Sequence, residues 1–200
     1  MTTVPEDVLP VVQRADDVPG PPQGCWTYED YAKLPNDGRH YHIIAGVLYV
    51  APAPNIAHQN AVGQFFVRLF QFIQARGLGR VIVAPVDVDL GPGGTVQPDV
   101  IVVLNEHLDR ITASRIVGAP DLVVEVASPS TATHDRRAKM DAYARAGVPE
   151  YWIADPVAET VELFVLGEGE YRSLGVFHGQ ALLPSTIISD FPVHVAEFFA

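Results

Sequence analysis

Cysteine is nearly absent from this chain. The one present, Cys25, excludes an intrachain disulfide and any zinc site built on thiolates, and it fits a reducing, cytoplasmic setting. Long apolar runs are missing too. No stretch reaches the ~20 residues that span a bilayer, and no charged, apolar, small-residue leader opens the sequence, so neither membrane insertion nor secretion is expected. Positive charge is scarce as well: 13 Lys and Arg stand against 24 Asp and Glu, for a net charge of −11, and Lys33 and Lys139 are the only lysines. Sequence-independent affinity for phosphates needs clustered cations, so this balance argues against a protein that coats nucleic acid. It leaves open an acidic catalytic centre with a local basic rim.

What is present suffices for a sizeable core. The 200 residues are one domain's worth, and 48% of them are hydrophobic. Residues 1–25 hold five prolines and scattered charge without an apolar period, which predicts an irregular or disordered lead-in to a domain at 26–200.

The most informative stretch runs from Gly118 to Pro156 and reads as strand, turn, helix, strand. Asp121 to Ala127 is almost wholly apolar, the pattern of a strand covered on both faces, yet it contains Glu125. An ionised carboxylate in an apolar layer costs several kcal/mol unless it is paired, hydrogen-bonded or bound to a cation. Thr133 is a candidate N-cap for a helix from about Asp135 to Ala146, stopped by Gly147 and Pro149. On that helix Asp135, Lys139 and Tyr143 share a face. The simpler reading is a solvated Asp135–Lys139 pair and a core tyrosine. A second carboxylate points elsewhere: Asp99 follows Pro98 at the mouth of another apolar strand, Val100 to Leu104.

Around these lie weaker signals. Thr27 caps a short helix over 26–34, and Tyr41–Ile44 with Val47–Val50 form a hairpin about Ala45-Gly46. Asn55 caps a long, heavily buried helix to about Ala75. His58 in its first turn either reaches toward the acidic site or satisfies a backbone carbonyl. Val81 to Leu90 reads as a strand in which Asp87 and Asp89 share a face, either turned to solvent or with Asp87 beside Asp99. A strand at 150–154, a hairpin at 160–166 and 170–178, and a short terminal helix at 192–199 complete the chain. The fold class expected is α/β, a central mixed β-sheet flanked by α-helices, with strands 81–90, 99–104, 121–127 and 150–154 in its middle.

Asp99, Glu125 and Lys139 together suit metal-assisted phosphodiester hydrolysis. Two carboxylates offer hard oxygen ligands to Mg²⁺, the ion lowers the pKa of a bound water, and the ammonium stabilises charge on the phosphate. Arg136, Arg137 and Arg145 could hold flanking phosphates, although helical spacing forbids all three from facing one way. A Pro-Asp before one apolar strand, a Glu in the next and a Lys on the following helix resemble the PD-(D/E)XK restriction-endonuclease-like superfamily, in the variant whose lysine has moved from strand to helix. Position 127 is alanine, which leaves Lys139 as the substitute. Within that superfamily the chain resembles the Uma-two family, through TYEDYAKLPNDG at 27–38, APAPNIAHQNAVG at 51–63, VAPVDVDL at 83–90, VQPDVIVV at 96–103 and most of 118–156.

The resemblance implies a restriction-endonuclease-like fold, a Mg²⁺ or Mn²⁺ cofactor, DNA as substrate, and the backbone carbonyl of Val126 as a further metal ligand. Duplex cleavage also makes a homodimer an expectation. The chain departs from the family in its first hairpin, where relatives carry glutamate and aspartate and this sequence has His42 and Ala45. If that glutamate completes the metal shell, imidazole would tilt preference toward Mn²⁺. Alternatively His42 serves as a base or phosphate contact, or the protein keeps the nuclease fold as a catalytically inactive binding or regulatory module.

Overall fold

Pro85 divides a run that alternation alone would join. It has no N–H to give a ladder, and a proline inside an apparent strand marks an edge or a break. The computed structural model describes residues 13–35, 37–51, 54–127 and 133–200. Around Pro85 the expected strand 81–90 becomes two, β4 (Gly79–Val83) and β5 (Asp87–Asp89), which belong to different sheets. Before them come β1 (Gln13–Arg14), α1 (Tyr28–Tyr31), β2 (His40–Ile44), β3 (Val47–Ala51) and α2 (Ile56–Arg76). After them come β6 (Gly94–Val96), β7 (Val100–Leu104), β8 (Arg115–Val117), β9 (Leu122–Val126), α3 (Thr133–Ala146), β10 (Glu150–Asp155), β11 (Thr160–Gly167) and β12 (Glu170–His178).

The fold is α/β, with mixed sheets and flanking helices. One six-stranded sheet has the order β1-β3-β2-β6-β5-β8 and the other β12-β11-β10-β9-β7-β4. Among the described residues only β9–β10 and β5–β8 pair in parallel. Of the four strands expected at the centre of one sheet, β7, β9 and β10 are interior neighbours, whereas β4 is an edge and β5 lies in the other sheet.

The near-continuous apolar runs of β7 and β9 follow from being covered on both sides. Val100, Val102, Leu122, Val124 and Val126 meet Ala61, Phe65, Leu69 and Ile73 of α2 and the C-terminal turn Val195–Phe198. Ile101, Val103 and Val123 meet Ala142 and Tyr143 of α3 and Ile44, Val88 and Val96 of the first sheet. Each fully buried side chain of this size contributes ~1.5–3 kcal/mol. Phe65 stacks on Phe198 with centroids 4.0 Å apart, and buried Glu150 accepts from Trp152 Nε1 at 2.7 Å, Thr186 N at 2.7 Å and Thr186 Oγ1 at 2.8 Å. These contacts fasten the C-terminal segment to the core.

Two terminal expectations are revised. Residues 1–12 lie outside the described residues, but within the expected irregular lead-in Gln13 and Arg14 pair with β3, Ala15 is buried, and Gly24 N–H donates to Gly46 O. At the other end, helix 192–199 is only the 3-10 turn Val195–Phe198. Among the described residues no helix is long and apolar enough to cross a membrane.

Candidate active site

The register between β7 and β9 sets Val100 opposite Val124. Just before that pair, in a bend at the mouth of β7, Asp99 comes close enough to Glu125 for its charge to raise the Glu125 carboxyl. Asp99 stays anchored there because Ala84 N–H donates to its carbonyl at 3.0 Å. Its side chain is held as well: Oδ2 accepts Val126 N–H at 2.8 Å and lies 3.3 Å from His58 Nε2. The chain reaches this corner from the other side of the sheet through Asn55, whose side chain caps α2 by accepting from His58 N–H and so fixes its first turn.

Glu125 faces α3. Lys139 and Tyr143 lie one helical turn apart, and both point at its carboxylate: Lys139 Nζ donates to Oε2 at 2.9 Å and Tyr143 OH to Oε1 at 2.6 Å. Lys139 is therefore turned inward, 9% exposed. The side chains of Thr133, Asp135 and Arg136 lie outside the described residues. Arg137 is exposed, about 200° around the helix from Lys139, and Arg145 is exposed in the last turn, so the structure does not bring either to the carboxylates.

His42 occupies the first sheet beside this corner. Burial, the Lys139 ammonium and His40 push its imidazole down to about 3, so it is neutral at physiological pH. Gln97 N–H donates to its Nδ1 at 3.3 Å. A neutral imidazole has one lone pair, so Nε2 carries the proton and no nitrogen is left for a metal. Gln97 also reaches Asp87: its Nε2 donates to Asp87 Oδ1 at 2.8 Å and to Tyr31 OH at 3.0 Å, while Tyr31 OH donates to Asp87 Oδ1 at 2.9 Å. Asp87 is thus engaged by Tyr31 and Gln97 and not simply turned to solvent. It stands behind His42 through Gln97. Asp89 turns to Gly91 N–H and Arg115. Ala45, the other departure from the family pattern, sits at φ 50° before Gly46 at φ 74°. That left-handed position favours aspartate over alanine for backbone reasons, so this departure concerns the turn.

Burial pushes the Glu125 carboxyl above its ordinary value, and Asp99 adds to this; Lys139 and Tyr143 pull against it. Burial and the Glu125 charge raise the Tyr143 phenol well above its own. For His58, burial lowers the pKa, but the hydrogen bond and charge of Asp99 outweigh it and the net shift is upward.

Tyr143 and Gln97, which hydrogen-bond Glu125 and His42, are the parts of this corner that sequence reasoning missed. Tyr143 had the right signal, since it shares the Lys139 face, but a helical tyrosine reads as core. Gln97, two residues before Asp99, carries no local signal.

Among the described residues, no three Asp, Glu, His or Cys groups converge as a complete protein-built metal shell would. The oxygens present nevertheless fit Mg²⁺ or Mn²⁺. Such an ion keeps most of its waters and takes only one or two carboxylates. Each carboxylate oxygen has two lone-pair sites, so the bonds from Lys139 and Tyr143 leave acceptor capacity on Glu125. Val126 adds a backbone oxygen, because a strand residue's N–H and C=O leave from the same edge, here the Asp99 edge.

Comparison with known proteins gives a match to a protein family and matches to solved structures. Residues 28–196 match the Uma2 family, described as "Putative restriction endonuclease". The chain is similar in structure to a protein from Anabaena variabilis ATCC 29413 described as a "putative nuclease belonging to DUF820", with a TM-score of 0.73 and 20% identity, over 86% of this chain and 97% of that one. At this identity the likeness speaks for the fold alone. No curated protein matches the chain.

Proposed function

The chain belongs to the Uma2 family, and from that membership and the neighbouring carboxylates of Asp99 and Glu125 we propose that it is a metal-dependent DNA endonuclease of the PD-(D/E)XK type. The observation that carries this reading is the inward turn of Lys139, whose Nζ lies 2.9 Å from Glu125 Oε2 at the same end of the sheet as Asp99. A surface lysine would have served a solvated helix equally well.

Asp99, Glu125 and the Val126 carbonyl would hold Mg²⁺ or Mn²⁺, which supplies Lewis-acid stabilisation of the phosphate and a more acidic water. The remaining work falls to the chain. Val126 N–H and His58 fix Asp99, and Tyr143 orients Glu125. Lys139 places a positive charge where negative charge grows as water oxygen bonds to phosphorus and the P–O ester bond breaks. His42, neutral and without a free lone pair, can donate through Nε2 but not ligate. It therefore offers no ground for a Mn²⁺ preference. A two-fold pair of chains would present one such site to each strand of a duplex, and a reducing compartment suits the exposed thiol of Cys25.

One observation favours a second reading. Both oxygens of Glu125 already accept hydrogen bonds, as they would in a structural ion pair inside an inactive nuclease-fold binding module. Supercoiled-plasmid nicking in Mg²⁺ and Mn²⁺ separates the two. The endonuclease reading expects nicking by wild type that is lost in Asp99→Asn and in Lys139→Ala. Equal nicking by all three, or none by wild type in either metal, overturns it.

A further inference from the structure

Helix α2 has a second face that a lone chain leaves unexplained. At about 3.6 residues per turn, Ile56, Asn60, Gly63, Val67, Phe70 and Gln74 fall on one band about 80° wide. The band lies opposite the buried Ala61, Phe65, Leu69 and Phe72, and all six of its residues are exposed. Ile56 is 81% exposed, Val67 44% and Phe70 42%. A solvated helical face normally carries charge. This one has none: the helix's only Lys, Arg, Asp or Glu residues are Arg68, 3.4 Å from Glu197 Oε2, and Arg76, 3.9 Å over the Phe72 ring, both outside the band.

Gly63 sits in the middle of the band. Glycine weakens a helix interior, and among the described residues nothing calls for it here, since a Cβ at this position would meet no atom within 4 Å. The missing side chain leaves room for another backbone to approach this position closely from outside.

We propose that this band is the contact through which two copies of the chain pair, with the two-fold axis passing beside Gly63. A two-fold contact must be self-complementary. In an antiparallel crossing about residue 63, a residue k positions after it faces one k positions before it. Phe70 lies seven after and Ile56 seven before, so each Phe70 meets Ile56 of the partner subunit. Asn60 likewise meets the partner's Phe66, whose ring already lies 5.6 Å from that of Phe70. The two-fold match of Phe70 to Ile56 selects a second copy as the occupant, and the lack of charge in the band removes the obstacle to it. Two chains of net charge −11 repel over most of their surfaces, and this band holds none of the 24 carboxylates. The other exposed large hydrophobics, Val117, Val157, Val176 and Leu182, are scattered over other elements. The pairing uses no residue of the acidic site and stands whether or not the chain cleaves DNA.

Sedimentation of the full chain at micromolar concentration tests this directly. Wild type is expected at twice 21.7 kDa and Val67→Glu, which sets two carboxylates against the contact, at 21.7 kDa. Val176→Glu on β12 serves as the control and stays dimeric. Because residue 67 is exposed, circular dichroism of Val67→Glu should match wild type, which distinguishes lost pairing from lost folding. In a Cys25→Ser background, Gly63→Cys is expected to oxidise to a covalent dimer. A monomeric wild type, a dimeric and folded Val67→Glu, or a dimer in which Gly63→Cys fails to cross-link would each overturn the proposal.

Discussion

Val126 donates its backbone N–H to Asp99 Oδ2 at 2.8 Å, so the residue following one acidic group fixes the rotamer of the other. Since the Val126 carbonyl leaves from the same strand edge, one backbone contact orders that carbonyl and the Asp99 carboxylate together. Asp99→Asn can still present an oxygen to that N–H. Its stability is therefore expected within ~1 kcal/mol of wild type, the scale of one neutral hydrogen bond, while Mn²⁺ affinity falls at least tenfold. Calorimetric metal titration beside a melting curve checks both halves, and an unchanged affinity would remove Asp99 from the metal site.

Lys139 is expected to fail twice when truncated. Removing one partner of a buried pair leaves an uncompensated charge and costs ~3–5 kcal/mol, and the Lys139 and Glu125 side chains are only 11% and 12% exposed. Lys139→Ala should therefore melt lower and lose nicking. Combining Lys139→Met with Glu125→Gln removes both charges, and should recover most of the stability but none of the nicking. Recovered cleavage in the double variant would make the pair purely structural.

Tyr143→Phe deletes the hydroxyl that donates to Glu125 Oε1 and nothing else. A hydrogen bond to a charged group is worth ~1.5–3 kcal/mol. That bond also pulls the Glu125 carboxyl down against its burial, so its loss raises the pKa further. The acid limb of the nicking profile should move to higher pH in Tyr143→Phe. An unmoved limb with lowered stability would confine the hydroxyl to packing.

How much of this was legible in the sequence depended on burial and distance along the chain. Glu125 stood out because a carboxylate inside an apolar strand has a cost that demands a partner, and Lys139 was found because it lies on the next helix. The first sheet was largely missed: β1, β5, β6 and β8 are two or three residues long, too short for alternation to show. Reading through Pro85 compounded the miss by joining β4 to β5. Local pattern leaves Asp87 undecided because its partner Tyr31 is 56 positions away and nothing nearby in the sequence encodes that contact.

Glu150 offers a contrast, a buried carboxylate with no chemistry to perform. Its three donors, from Trp152 and Thr186, satisfy it completely enough to pin the C-terminal segment to β10. Glu150→Ala strands those donors in the core, at ~1–3 kcal/mol for each unsatisfied group. A large drop in melting temperature is expected, with nicking by the folded fraction unchanged at low temperature. Lost nicking in fully folded protein would tie this corner to the site.

His58 reports on Asp99 without any need for turnover. Its ordinary value is 6.5, and in the folded chain burial lowers it while Asp99 more than offsets the loss, so the net shift is upward. A raised pKa means that the folded state holds the proton more tightly, so His58 contributes stability that is fully present below 6.5 and is lost as pH rises through the folded midpoint. In Asp99→Asn the largest opposing influence disappears and burial dominates. The imidazole midpoint, followed by NMR of the ring protons, should then move from above the ordinary value to below it, and the matching pH dependence of stability should vanish. A saturating divalent cation beside Asp99 should also lower the midpoint in wild type, through charge repulsion and competition for the same carboxylate. If the midpoint responds to the cation but not to Asp99→Asn, the ion binds elsewhere and the 3.3 Å contact between His58 and Asp99 is not what sets this histidine.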